Sequence, residues 1–176
     1  GKMVKEKQWE NHRTKVISCI VFGVYLLLLT WLVLFKFAFA IEEIPHLRQL
    51  NLIPFHYETS VKPIMHIKEV VYNILVFVPA GVYFTAFFGE RKWWEGIGAS
   101  FLISLSFEII QWIFSIGVSD ITDLLGNTLG GVLGTLLFVL FGKILSKKRM
   151  RVINVVGAVV EIVGIALLSA LFVANK

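Results

Sequence analysis

Five long apolar segments, separated by short polar stretches, dominate this sequence. Each is long enough to cross the hydrocarbon core of a bilayer, which takes about 20 consecutive apolar residues in a helix. The pattern predicts an all-α membrane protein, a single bundle of about five transmembrane helices that forms one domain over residues 1–176. By number, the predicted spans are 16–39, 70–88, 96–116, 124–145 and 152–173.

The composition agrees with this pattern. Hydrophobic residues make up 57% of the chain and charged residues 16%, against the roughly 25% of charged residues in a typical soluble domain. Cys19 is the single cysteine, so an intramolecular disulfide is excluded, and redox chemistry or a thiolate metal site is not expected. We expect no cofactor.

The basic residues predict the orientation of the chain. They concentrate before the first span and in the connections after the second and fourth spans, at residues 5–15, 91–92 and 147–151. Because Lys and Arg favour the cytoplasmic side, we expect the N-terminus in the cytoplasm and the C-terminus outside. The basic residues behind the net charge of +5 thus lie where they would orient the chain in the membrane, and we expect no nucleic-acid partner. A thiol introduced at Glu58 should be labelled from outside, and one at Lys148 should not.

Polar side chains recur in the outer halves of three spans. A carboxylate at the centre of a span costs at least about 2.5–3.5 kcal/mol, so intramembrane carboxylates usually have a function. We expect one outward-opening pocket, lined by Glu108 and Gln111 of the third span and by Asp123 and Asn127 of the fourth, with Asn73 and Asp120 at its edge. The second to fourth spans carry no Lys or Arg at this depth, so side-chain amides and water are expected around Glu108, with a bound cationic or hydroxyl-bearing headgroup as a further option.

Purely structural roles remain an alternative for several of these residues. Asp120 or Thr122 would suit the N-cap of the fourth helix, with Asp123 in its first turn, where carboxylates are favoured. Asn73, Gln111 and Asn127 would suit hydrogen bonds between helices.

Small residues mark one face of the fourth span. Gly126, Gly130 and Gly134 form a GxxxGxxxG ridge, which lets another helix approach closely. We expect Gly130 and Gly134 to contact another helix of the same chain; self-association is the alternative.

Two further groups of titratable residues carry no assignment. Glu161 lies near the middle of the fifth span, and the residues do not indicate whether it is protonated, paired or at a subunit contact. His46, His56 and His66 match no metal-ligand spacing, so we expect no metal site.

Four stretches together resemble the VanZ family. They are Asn51–Phe55, Asn73–Gly81, Glu108–Gln111 and Asp120–Gly131, and the resemblance covers about residues 45–140. It implies a multi-pass protein of the bacterial plasma membrane, of a type associated with low-level teicoplanin resistance, and it implies no particular reaction. Thr122 stands where many relatives have an acidic residue, which argues against carrying over a multi-carboxylate or two-metal mechanism.

Two functional hypotheses follow. The first is a protein that lowers lipoglycopeptide action at the outer leaflet by binding a lipid, a lipid-linked cell-wall intermediate or the lipoglycopeptide itself near Glu108, Gln111 and Asp123. The second is an intramembrane enzyme that modifies a lipid headgroup, with Glu108 or Asp123 as general base. No serine or cysteine nucleophile motif and no HExxH motif supports covalent or zinc chemistry, so the sequence leaves catalysis open and favours binding. A transporter is not supported, because no internal repeat is detectable.

Overall fold

The computed structural model describes residues 11–38, 40–56 and 62–176. In this part of the chain five long helices alternate with two short strands and three single turns of 3₁₀-helix. The helices are α1 (His12–Phe35), α2 (Pro63–Phe88), α3 (Trp93–Phe114), α4 (Ile121–Leu145) and α5 (Arg149–Ala174), and the strands are β1 (Leu47–Asn51) and β2 (Ile116–Asp120).

Local signals in the sequence set several helix ends. The Asn11 side chain accepts a hydrogen bond of 2.9 Å from the backbone N–H of Thr14, which is the bond an N-cap makes. Pro63 begins α2, where its missing N–H costs nothing because the first turn has no partner for it. Gly89, with a φ of 96°, ends α2 in a conformation that favours glycine.

The helical segments have the length and composition of membrane spans. Four segments of the described residues qualify, namely His12–Phe35, Pro63–Phe88, Glu90–Phe114 and Ile121–Ala174. The last contains two helices, α4 and α5, separated by a 3₁₀ turn at Ser146–Lys148, and Ser146 has a φ of 50°. The count of five spans and the orientation of the termini therefore remain predictions.

The two strands correct the all-α prediction. Strands β1 and β2 pair in parallel, in a register that runs from Leu47 opposite Ile116 to Asn51 opposite Asp120. Apart from Ile116, the last residue of the predicted third span, both stretches lie between predicted spans. Five residues are too few for alternation to be evident, and the partners are separated by two long helices, so no local pattern reveals the pairing.

The pairing of the strands fixes the arrangement of the helices between them. A parallel pair needs a long crossover connection, and here α2 and α3 supply it. The start of α2 and the end of α3 consequently lie at the same end of this helical hairpin, next to the sheet.

The chain divides into two compact units. One is Thr30–Leu140, and the other is the start of the chain up to Leu29 together with Phe141–Lys176. The first unit contains the sheet, α2, α3, most of α4 and the end of α1. Its interior is lined by residues such as Phe77, Ala80 and Phe138, all fully buried.

Glycines let the helices of the Thr30–Leu140 unit pack closely. A Cβ on Gly130 would collide with the backbone oxygen of Ile74, and one on Gly134 would collide with that of Val78. Both glycines therefore contact α2 of the same chain, which confirms the prediction for this ridge. On a neighbouring face of α4, Gly131 packs against the side chain of Ser100 in α3.

In the second unit a polar contact joins α1 to α5. The Asn154 side chain donates a hydrogen bond of 2.8 Å to the Ser18 hydroxyl, and both residues are buried. Further along α5 the apolar side chains are mostly exposed, including Val160, Ile162 and Leu171, as expected for a surface that faces lipid. Glu161 lies among them and is half-buried.

Candidate functional site

Glu108 is held between α3 and the start of α4. It lies two turns before the end of α3, and only 9% of it is exposed. Its Oε2 accepts a hydrogen bond of 2.9 Å from the backbone N–H of Asp120, and its backbone oxygen accepts one of 2.8 Å from the Ser119 hydroxyl. The carboxylate thus lies at the N-terminal end of α4, where the helix dipole favours negative charge.

The second carboxylate oxygen of Glu108 is available to a ligand. Within the described residues, Oε1 has no hydrogen-bond partner. It is also not among the side-chain oxygens that are fully enclosed without a partner. A buried carboxylate with an unused acceptor is costly, so this oxygen favours a donor from water or from a bound molecule.

Asp123 is linked to α2. Its Oδ1 accepts a hydrogen bond of 2.7 Å from the side-chain amide of Asn73. Asp123 lies in the first turn of α4, so this bond joins the start of α4 to the N-terminal half of α2. Asn73 therefore forms the interhelical bond that the structural alternative described, and it does so to a residue of the predicted site.

The other two amides also bridge separate elements. Gln111 donates a hydrogen bond of 3.0 Å to the backbone oxygen of Val33 in α1, and Asn127 donates one of 2.9 Å to the hydroxyl of Ser104 in α3. Each amide uses its NH₂ group in this way. Their carbonyl oxygens have no hydrogen-bond partner among the residues that the structure describes.

These side chains surround one cavity. Its volume is about 100 Å³, and it lies within the Thr30–Leu140 unit. Five of the six predicted residues line it, together with the end of α1 and the apolar side chains of α2. The lining residues are Leu32, Val33, Lys36, Tyr72, Asn73, Val76, Phe77, Glu108, Gln111, Asp123 and Asn127. The structure thus brings the predicted residues together, and their role in ligand binding stays a prediction.

Asp120, the sixth predicted residue, caps α4. Its Oδ1 accepts a hydrogen bond of 2.8 Å from the backbone N–H of Thr122, and the helix begins at Ile121. This is the N-cap role that the sequence analysis kept as an alternative. Asp120 is not among the residues that line the 100 Å³ cavity.

The stretch Asn51–Phe55, one of the four that resemble the VanZ family, forms a turn that packs on the start of α4. The Asn51 side chain accepts from the N–H of Ile53 at 3.2 Å and donates to the backbone oxygen of His56 at 3.0 Å. Phe55, with a φ of 57°, donates its N–H to the Thr122 hydroxyl at 2.9 Å. Thr122, where the resemblance led us to expect an acidic residue, thus anchors this turn.

A second cavity adjoins the first at Glu108. It has a volume of about 260 Å³, and apolar side chains form most of its wall. It lies between β1, α3 and the start of α4, and its lining residues are Leu50, Leu52, Leu105, Glu108, Ile109, Trp112, Ser119, Asp120, Ile121 and Leu124. Glu108 therefore borders both a polar and an apolar space.

Lys36 is the site residue that the sequence analysis missed. It follows the last residue of α1, lines the polar cavity and interacts electrostatically with the carboxylates of Glu108 and Asp123. The expectation of amides and water around Glu108 considered the second to fourth spans and did not consider the end of α1, which supplies Lys36. The available signal was an isolated lysine inside the first predicted span.

Taken together, these features define a helical membrane protein with a charged cavity near one end of its central helices. Comparison with known proteins identifies its family. The VanZ/LLP1 family model matches residues 22–142, and the chain belongs to the VanZ family. It is 38% identical to Protein VanZ of Enterococcus faecium over 146 residues, which cover 81% of this chain and 87% of that protein. No solved structure matches.

The matched range includes every residue that lines the two cavities. It ends at residue 142, before α5 begins. The family resemblance stated from the sequence is therefore confirmed, and it applies to the part of the chain that builds the candidate site.

Proposed function

We propose that this protein lowers the action of lipoglycopeptides of the teicoplanin type at the outer leaflet of the bacterial plasma membrane. It would do so by binding a lipid or lipid-linked molecule in the polar cavity. Membership of the VanZ family supports the resistance role. The observation that carries the binding role is the buried Glu108 carboxylate, which has one oxygen without a partner in the described structure at the edge of a cavity of about 100 Å³.

The proposal includes a multi-pass topology with five spans, the N-terminus inside and the C-terminus outside. The distribution of Lys and Arg supports this orientation. The pairing of β1 with β2 supports an α2–α3 hairpin that enters and leaves at the same membrane face. With this orientation the cavity opens to the outer leaflet, because its residues come from the end of α1, the outer half of α2, the end of α3 and the start of α4.

The test is teicoplanin susceptibility in a sensitive host that expresses the chain. Wild type should raise the minimum inhibitory concentration by more than one dilution step, and Glu108→Gln should abolish the rise. The amide removes the negative charge but keeps an oxygen that can accept from Asp120, so folding should be preserved. Glu108→Ala removes this acceptor as well, and we expect it to lose about 1–3 kcal/mol of stability in addition.

Glu95→Gln is the matched control. Glu95 lies at the other end of α3, half-buried, and pairs with Lys92 at 3.3 Å. Its variant should retain the wild-type susceptibility. Equal membrane levels of all variants must be shown by immunoblot, and an absent shift for well-expressed wild type would refute the resistance role.

A catalytic role is the second candidate. The observation that favours it is that two carboxylates, Glu108 and Asp123, border the same cavity, as required of a general base and its neighbour. Mass spectrometry of the cell-envelope lipids separates the two functions. A lipid species that appears with wild type and is absent with Glu108→Gln would show an enzyme, and an unchanged lipid profile together with resistance would show a binder.

A further inference from the structure

We propose that the ligand of the polar cavity is a phospholipid whose headgroup ends in a primary ammonium. The ammonium binds between Glu108 and Asp123, and the phosphate binds Lys36 at the mouth. This inference rests on the proposed lipid-binding function and names its ligand class.

The charges around the cavity favour a cationic group inside it. Two carboxylates, Glu108 and Asp123, line the cavity with a single cation, Lys36. Glu69 and Asp120 add further negative potential, because both interact electrostatically with Asp123. An excess of negative charge in a space shielded from water is stabilised by a bound cation.

The unused hydrogen-bond acceptors match a primary ammonium. Within the described structure, Glu108 Oε1 and Asp123 Oδ2 have no partner, and neither do the side-chain oxygens of Gln111 and Asn127. A primary ammonium has three N–H donors. Two would go to the carboxylates, where charge-assisted bonds are strongest, and the third would go to one of the amide oxygens.

The hydrogen-bond donors of the headgroup decide which lipid fits the cavity. A trimethylammonium group has no N–H donor for the carboxylates, whereas a primary ammonium has three. The cavity should therefore discriminate against choline headgroups.

Lys36 is placed to receive the phosphate. It is exposed and also lines the cavity, so its ammonium is available to a group that stays outside. Lys36 and Phe37 have φ values of 49° and 56°, a left-handed conformation that is unfavourable for residues other than glycine. This turn ends α1 and places Lys36 against the cavity instead of continuing the helix axis.

The neighbouring apolar cavity favours a lipid over a soluble amine. Glu108 lines both spaces, and the apolar one has a volume of about 260 Å³. The acyl chains continue from the phosphate, outside the polar cavity, and apolar side chains such as Leu105, Ile109 and Leu124 offer them a surface beside it. A small soluble amine would gain nothing from this surface.

Native mass spectrometry of the purified full chain tests the inference. The protein in detergent is presented with phosphatidylethanolamine and phosphatidylcholine that carry identical acyl chains. Wild type should retain the ethanolamine lipid roughly tenfold better, because only its headgroup has N–H donors for charge-assisted bonds to the carboxylates. Equal retention of the two lipids would overturn the inference.

Variants of Glu108 and Lys36 test the ammonium contact and the phosphate contact separately. Glu108→Gln should bring the ratio of the two lipids close to unity. Lys36→Met should weaken both lipids and keep their ratio, because both carry the phosphate, and Lys36→Arg should restore binding. Glu95→Gln should behave as wild type. A Lys36→Met protein that binds both lipids as tightly as wild type would refute the phosphate contact.

Two further measurements distinguish a lipid from a soluble amine as the ligand, and a wrong ligand class from a wrong proposed function. Free phosphoethanolamine should fail to displace the lipid at matched concentration, and efficient displacement would refute the contribution of the alkyl chain. Equal binding of both lipids with intact teicoplanin resistance overturns the ligand class and leaves the proposed function standing. Absence of lipid binding and of any susceptibility shift overturns both.

Discussion

Single glycines on α4 determine where the polar residues of the site meet. Besides the contacts of Gly130 and Gly134 with α2, a Cβ on Gly126 would lie 3.4 Å from the Cβ of Asn73. The ridge therefore brings the N-terminal half of α2 close to the first turns of α4. This close approach places the Asn73 amide 2.7 Å from Asp123, so packing between small residues positions one edge of the cavity.

Gly134→Ala should destabilise the fold. Its Cβ would collide with the backbone oxygen of Val78 and lie 2.8 Å from the backbone nitrogen of Val82, and backbone atoms cannot rotate away as a side chain can. We expect a loss of about 1–3 kcal/mol from overpacking, measured as a lower Tm of the purified protein in detergent.

Gly98→Ala in α3 is the control for this substitution. Nothing lies within 4 Å of a Cβ at Gly98, so the variant should keep or gain stability, by up to about 1 kcal/mol from the higher helix propensity of alanine. Equal Tm values for the two variants would contradict the assigned packing. Gly130→Leu should lower the yield of folded protein for the same reason as Gly134→Ala.

Secondary-structure elements outside the long helices hold the site together. Arg48 of β1 donates to the backbone oxygens of Trp112 and Ile113 at 3.0 and 3.1 Å, so it caps the C-terminal end of α3. Strand β2 continues directly from this end and supplies the Asp120 N–H to Glu108. The sheet and the turn at 51–56 therefore fix the end of α3 and the start of α4 relative to each other.

Thr122→Val should loosen the turn at 51–56. Valine conserves the volume of threonine but cannot accept the Phe55 N–H, which lies 2.9 Å from the Thr122 hydroxyl. Leaving a partly buried N–H without an acceptor costs about 1–3 kcal/mol. The measurement is the Tm, combined with the rate of proteolysis within residues 52–56, which should rise.

Thr128→Val is the matched substitution on the same helix. The Thr128 hydroxyl bonds to the backbone oxygen of Leu124 at 2.7 Å, and that oxygen already accepts a helical N–H. Its loss should change the Tm and the proteolysis rate little. If both valine variants behave alike, the Thr122 hydroxyl does not anchor the turn.

For the whole molecule, the pairing of β1 and β2 is the main constraint on topology. It joins the segment before α2 to the segment after α3, so in the topology that we propose these two connections share one side of the membrane. The segment of 54 residues that contains α4 and α5 would be about 80 Å long as a single straight helix, far more than one bilayer. The break at Ser146–Lys148 allows it to cross twice, which is the arrangement that we propose.

Cysteine labelling of intact cells tests the orientation and the number of spans. In a Cys19→Ala background, membrane-impermeant maleimide should label Ile53→Cys and Asn175→Cys and should not label Lys148→Cys. Ile53 and Lys148 are exposed; Glu58, the labelling position suggested by the sequence, lies outside the described residues. Labelling of Lys148→Cys alone would reverse the orientation, and protection of Asn175→Cys would refute the fifth span.

Local patterns in the sequence predicted the helices well because burial in a bilayer imposes a long apolar run. Helix α4 was predicted at 124–145 and is found at Ile121–Leu145. Helix α2 begins at Pro63, whereas the predicted span begins at residue 70. The first two turns contain His66, Lys68 and Glu69, and these polar residues interrupt the apolar run from which the span was predicted. The spacing of Glu108 and Gln111 also sufficed to place both on one helical face.

By itself, the sequence determined that this is a membrane protein, where its apolar helices lie and which family it resembles. It also identified the polar residues that are candidates for the site. Only the tertiary structure decided that Lys36 joins Glu108 and Asp123, that Asp120 caps α4, and that β1 pairs with β2. These contacts connect residues far apart in the chain or select one of several possible hydrogen bonds. Hydrophobic periodicity records which residues avoid water, and it carries no information about which polar groups become partners once the helices have packed.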